Sequence, residues 1–148
     1  MEKKEFKKAL REVLEVYGFV KVKNCYYYSN EDIIIVIATQ KSDYSEAYYI
    51  NYGFVAKSIN EGVVYPKDNQ CDLSARFLHY ENKDDKKGVG LFELDNLDYN
   101  ILQESLRRNV DKSIVPVINS GIREYFRIEP NAKYIATLKM KKHLGLNG

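Results

Sequence analysis

The sequence predicts an α+β fold: an N-terminal helix, an antiparallel meander sheet of about five strands, and C-terminal helices packed on the sheet. Three observations carry this. Residues 32–54, DIIIVIATQKSDYSEAYYINYGF, set two β-prone runs around a short polar loop, the pattern of a hairpin. Phe6, Leu10, Val13, Leu14 and Tyr17 recur at three- and four-residue steps, the apolar stripe of an amphipathic helix. Beyond residue 95 that helical period returns. The chain of 148 residues is expected to form one domain, 1–148, burying roughly 70% of its unfolded surface.

Glu2 to Tyr17 is the first helix. Gly18 is placed to take a left-handed conformation at its end, with Phe19 as the apolar residue that accompanies such a cap. Phe19–Val22 and Cys25–Ser29 read as strands joined at Lys23-Asn24, and Ser29-Asn30-Glu31 turns into Ile33–Ala38. That β-branched run fits a strand covered on both faces. Lys41–Ser45 turns, and Ala47–Val55 returns. Lys57–Gln70 contains Gly62, Pro66 and Asp68-Asn69, so it reads as a loop with a short strand near Val63–Tyr65. Leu73–His79 alternates as a fifth strand, Glu81–Lys87 is a charged tip, and Gly90–Leu94 a brief last strand.

Asp95, Asn96 or Asp98 is expected to cap a helix with apolar positions Ile101, Leu102, Leu106 and Val110. Pro116 should kink or split its continuation. Ile122–Ile128 follows Ser120-Gly121 as a short helix. Asn131 then caps Ala132–Leu144, which carries Lys141, Lys142 and His143 at the negative end of its dipole and stops at Gly145.

Composition narrows the function. The net charge is +2 with both signs interspersed, whereas a dedicated nucleic-acid binder shows a concentrated basic stripe. No signal-peptide pattern is present and the longest apolar run is too short for a bilayer, so a cytoplasmic protein without membrane contact is expected. Cys25 and Cys71 then read as reduced thiols. His79 and His143 are the two histidines, and no closely spaced ligand pair points to a metal or cofactor. Gly88-Val-Gly90 has Glu93 in place of a third glycine and lacks the strand–turn–helix setting of a phosphate loop. A Cys71–His79 nucleophile pair requires both on neighbouring strands and has no orienting third group. Asp84-Asp85 lies among lysines that neutralise it, and Asp95 and Asp98 suit a helix cap better than a carboxylate dyad.

The tyrosines say more. Seven of the thirteen fall between Tyr26 and Tyr52, so they concentrate on three adjacent strands. Strand parity puts Tyr48, Ile50, Tyr52 and Phe54 on one face and Tyr49, Asn51, Gly53 and Val55 on the other. Tyrosine, with an apolar body and a polar tip, suits a protein interface; cross-strand aromatic pairing at the rim of a helix-covered sheet accounts for it equally. The leading expectation is a non-enzymatic protein-binding module whose hairpin surface comprises Gln40, Lys41, Ser42, Tyr44, Tyr48 and Asn51. The first three either satisfy the turn's backbone or edge the patch. One alternative is an enzyme or ligand-binding protein with a pocket between sheet and C-terminal helices. Another is a single-strand nucleic-acid binder, for which Lys21, Lys23, Lys41 and Lys57 are diluted by Asp32, Asp43 and Glu46.

Tyr17-Gly18-Phe19, Gln40-Lys41-Ser42, Tyr49-Ile50-Asn51-Tyr52-Gly53, the Leu73–Leu78 strand with Arg76, and Tyr134-Ile135-Ala136 through Leu144-Gly145 together resemble a bacterial family catalogued as domain of unknown function 4304. The resemblance runs from about Phe6 to Gly145. Leu91-Phe92 stands where compared members often carry Trp, and this chain has none. The family implies no established activity. Some similar domains look like immunity proteins of bacterial toxin systems, which implies a protein partner of the toxin kind.

Overall fold

The computed structural model describes residues 1–146. Helix α1 (Lys3–Val16) buries Phe6, Ala9, Leu10, Val13 and Leu14, the stripe read from the sequence. It ends as expected: Gly18 (φ 88°) donates to Glu15 O at 3.0 Å, and Phe19 N donates to Leu14 O at 3.1 Å. That bond pair is a Schellman motif.

The sheet is antiparallel, in the order β1 (Val20–Val22), β2 (Cys25–Ser29), β3 (Ile33–Lys41), β4 (Ala47–Ala56), β5 (Leu73–Arg76). A sixth strand, β6 (Phe92–Glu93), pairs with the hairpin end of β4, opposite Ala47 and Tyr48. Ile33, Ile35 and Ile37 of β3 and Tyr48, Ile50, Tyr52 and Phe54 of β4 join α1 and the C-terminal helices in one core. The opposite face is buried too, with Ile34, Val36 and Val55 at most 2% exposed. Its cover is the 57–72 segment: Tyr27 donates its hydroxyl to Pro66 O at 3.0 Å, and Asn51 Nδ2 donates to Asp68 Oδ2 at 3.0 Å. A strand hidden on both faces has no polar position to alternate with, hence the unbroken Ile-Val run of β3.

Because that segment lies over the sheet, Val63–Tyr65 forms no strand; it is an exposed turn with no free edge to pair. The fifth strand likewise stops at Arg76 rather than His79. Beyond it, helix α2 (Tyr99–Asn109) holds the chain with side chains. Asn109 accepts from Leu78 N at 2.9 Å and donates to Leu78 O at 2.7 Å, and Ser105 Oγ accepts from Tyr80 N at 2.8 Å. These amide and hydroxyl groups satisfy backbone that a strand would otherwise pair.

Asp98 caps α2 by accepting from Ile101 N at 3.0 Å. The helical path divides beside Pro116, as expected. A π-helical turn at Val110–Ile114 precedes it, and Pro116 falls in the first turn of α3 (Val115–Ser120). The widened turn removes the need for the N–H that proline lacks. Helix α4 (Ile122–Ile128) follows. The expected 132–144 helix is shorter: Pro130–Tyr134 is 3₁₀, and α5 spans Leu138–Leu144, capped by Thr137 instead of Asn131. Thr137 N donates to Asp72 O at 2.8 Å, pinning an extended residue where the longer helix would have run. Gly145 stops α5 in the left-handed region.

Candidate functional site

The end of the β3–β4 hairpin carries the residues expected at the site, on two faces and a turn. In the register Lys41 pairs Tyr48, Gln40 pairs Tyr49, and Ala38 pairs Asn51, which in turn pairs Arg76. Gln40 and Asn51 share the face away from α1. Asn51 Nδ2 donates to Gln40 Oε1 at 3.0 Å as well as to Asp68, and its Oδ1 accepts from Arg76 Nε at 3.1 Å. The Arg76 guanidinium lies 4.0 Å over the ring of Tyr49, a cation–π contact. Tyr49, Asp68 and Arg76 complete a polar cluster of which the sequence reading named two members.

Tyr48 goes the other way. It is 3% exposed and stacks on Phe6 with ring centroids 5.1 Å apart; strand parity turns it toward α1. Its ring belongs to the core on the α1 side of the sheet, opposite the face that carries Asn51. Ser42 is buried as well: its N–H donates to Ala47 O at 2.9 Å and its Oγ accepts from Tyr44 N at 3.2 Å, closing the turn. Tyr44 is 96% exposed. Lys41 bonds the turn carbonyls of Ser42 and Ser45 and lies 3.5 Å from Glu46.

On the α1 side, where the sheet runs past the helix, a groove of about 400 Å³ is lined by Lys3, Lys7, Lys21, Lys41, Tyr26 and Tyr48, among others. The sequence reading missed it because its cations lie far apart along the chain.

These residues fall largely within one recognisable span. The family model described as Domain of unknown function (DUF4304) matches residues 10–120. The chain belongs to the DUF4304 family. The match takes in the whole sheet and both faces of the hairpin end, while Lys3 and Lys7 precede it. No curated protein and no solved structure matches this DUF4304 chain significantly.

The remaining chemically capable groups of the DUF4304 domain are dispersed. Cys71 and His79 are not neighbours. The Cys71 thiol donates to Lys67 O at 3.4 Å, and burial, with Asp68 and Asp72 nearby, pushes its pKa up to about 12. A thiol held that high carries little thiolate. His79 Nδ1 is 3.2 Å from Ser105 Oγ and its Nε2 is 3.5 Å from Glu81, superficially a Ser–His–Glu chain. Ser105 is 2% exposed and already accepts from Tyr80 N, so its oxygen is shut off from substrate. Asp85 does more than offset lysines: backbone N–H bonds from Gly88, Glu81 and Lys87 hold its pKa below the ordinary range. Among the described residues no three His, Cys, Asp or Glu side chains gather where they would hold a metal ion. No described helix is long and apolar enough to cross a membrane.

A cavity of about 800 Å³ lies between the Asn30–Ile33 end of the sheet and α3–α5. One of its cations, Arg123, is bound to Leu144 O at 2.8 Å.

Proposed function

We propose that this domain is a non-enzymatic protein-binding module that engages its partner through the end of the β3–β4 hairpin. The observation that supports this reading is Tyr44, almost wholly exposed on a turn that three hydrogen bonds hold. Ser42 N to Ala47 O, Tyr44 N to Ser42 Oγ and Ala47 N to Ser45 O all fall between 2.9 and 3.2 Å. An exposed aromatic ring contributes little to folding, and a rigid turn lowers the ordering cost of binding. Exposed Gln40 and Arg76 supply polar groups farther back along the hairpin, already oriented by Asn51. A partner of this kind offers an apolar pocket for Tyr44 with acceptors for Arg76. An immunity-type role, with the hairpin occluding a toxin, is one form of such binding and rests on the family likeness alone.

The test is to express Tyr44→Ala and Arg76→Ala, measure unfolding of each, and titrate both against the partner recovered with the wild-type protein. A tyrosine anchor costs about 2 kcal/mol or more when truncated, roughly thirtyfold in affinity, so Tyr44→Ala should lose binding with an unchanged melt. Wild-type affinity in both variants would refute the hairpin surface.

A further inference from the structure

We infer that the groove between α1 and the open end of the sheet binds a small molecule carrying two or more phosphate groups. This goes beyond the hairpin-tip reading and does not depend on it. Four strands and a helix build the groove. Tyr26 pairs Lys21 across β1–β2 and Ile37 across β2–β3, while Lys41 pairs Tyr48, so strand parity turns Lys21, Tyr26, Lys41 and Tyr48 toward α1. From α1, Lys3 and Lys7 approach at i, i+4. The groove continues into a second of about 520 Å³ that shares Lys3, Lys7, Lys21 and Tyr26 and adds Lys4, Lys8, Arg11 and Glu2. Lys3 and Arg11 are eight residues apart, about 12 Å along the helix, too long a span for one phosphate to fill.

Charge is the second argument. The whole chain carries only +2, yet seven cations line this pair of grooves with one lining carboxylate, Glu2. Among the described residues, Lys8 is paired with Glu12 at 3.8 Å and Lys41 with Glu46 at 3.5 Å; Lys3, Lys4, Lys7, Arg11 and Lys21 have no carboxylate within ion-pair distance. Like charges so placed repel one another, which does nothing for folding, and a groove of one sign focuses an attractive field on anions.

The third is a hydroxyl that packing does not explain. Tyr48 lines the groove and is 3% exposed, and its Oη has no hydrogen-bond partner. Buried hydroxyls left unpaired are uncommon because they lose water and gain nothing. Phenylalanine would stack on Phe6 equally well. Tyr48 lines the lysine groove, and a phosphate oxygen bound there would give its hydroxyl the acceptor it lacks.

Phosphate groups fit better than a nucleic-acid strand. Lysine ammonium groups act as point charges for phosphate, whereas base stacking needs exposed ring faces. Tyr26 and Tyr48 are 7% and 3% exposed, so neither offers one.

The experiment is calorimetric titration of the full chain with inorganic tripolyphosphate, orthophosphate and a single-stranded oligothymidylate at about physiological salt. One tripolyphosphate per chain is expected, weakening as salt rises, with orthophosphate at least about tenfold weaker. Lys7→Gln and Lys21→Gln should each weaken binding, and Tyr48→Phe should weaken it by about tenfold, the loss of a charge-assisted hydrogen bond. Tyr48→Phe should melt at or above the wild-type temperature, which separates this loss from unfolding. Lys86→Gln, remote from the groove, and Tyr44→Ala should bind as wild type. Absence of saturable tripolyphosphate binding, wild-type affinity in Tyr48→Phe, or a preference for the oligonucleotide would each overturn the proposal.

Discussion

Gly53→Ala tests how closely the 57–72 segment is laid on the sheet. A Cβ at residue 53 would come 2.5 Å from Cys71 Sγ, 2.7 Å from Cys71 Cβ and 3.1 Å from Leu73 O. Alanine in a strand interior is normally favoured over glycine by about 0.5–1 kcal/mol. Here the gain is outweighed, because overpacking typically costs about 1–3 kcal/mol and two of the three contacts cannot rotate away. A net loss of about 2 kcal/mol lowers the melting temperature by about 4–8 °C for a chain of this size. The structure also predicts which second change relieves it. Cys71→Ala removes Sγ but keeps the Cβ at 2.7 Å, so most of the strain stays; Cys71→Gly removes both. Thermal and urea unfolding of the two doubles against their singles give the coupling energy. A Gly53→Ala protein as stable as wild type, or equal rescue by both substitutions, would refute the close approach.

Asp72, 2% exposed, accepts from Ala56 N at 3.0 Å, Asn60 Nδ2 at 2.7 Å and Thr137 Oγ1 at 3.3 Å, tying β4 and the 57–72 segment to the start of α5. Asp72→Ala leaves these donors without an acceptor and should cost about 3–5 kcal/mol in urea unfolding, with Asp72→Asn milder; a loss under about 1 kcal/mol would show that water replaces the carboxylate. Burial holds the pKa of His79 below its ordinary value, although Glu81 pulls it upward. The unfolded chain therefore takes up that proton first. This contribution to stability is present above about pH 6.5 and is lost as pH falls through that value toward the folded-state pKa. His79→Gln should flatten the melting profile between about pH 7.5 and 5.5; a slope identical to wild type would assign the pH dependence elsewhere.

Much of the fold was legible because single elements obey local rules. The stripe of α1, the Gly18-Phe19 cap and the doubly covered run of β3 each follow from residue type and spacing. What escaped depended on partners distant in sequence. Nothing in Leu78 or Tyr80 announces that Asn109 and Ser105 will bond their backbone, and nothing in Ala132–Thr137 announces Asp72. The candidate site divides the same way. Parity separated Tyr48 from Asn51, but choosing the outward face required knowing where α1 and the 57–72 segment lie. Lys3, Lys7 and Arg11 at four-residue steps, with Lys21 and Lys41 on strands, were the available signal for the groove; it surfaces only when the helix edge and the sheet end are brought together.

That juxtaposition also bears on the enzyme alternative. Covering β3 and β4 on both faces leaves the sheet no open floor, and Tyr52, Tyr125 and Ser105 are enclosed by packing. Burial pushes the Tyr52 and Tyr125 hydroxyls toward the neutral form, and they bond each other at 2.7 Å. Cys71 is held as a thiol, and Ser105 is committed to backbone. A nucleophile or base acts only where substrate can reach it. The groups that reach solvent in the candidate sites are of another type: a tyrosine on a held turn, an arginine over a ring, and lysines around a groove. Such groups bind by contact, hydrogen bond and charge, and they lie where the sheet runs beyond its covers. Recognition at the hairpin end, as proposed, draws on chemistry of this kind.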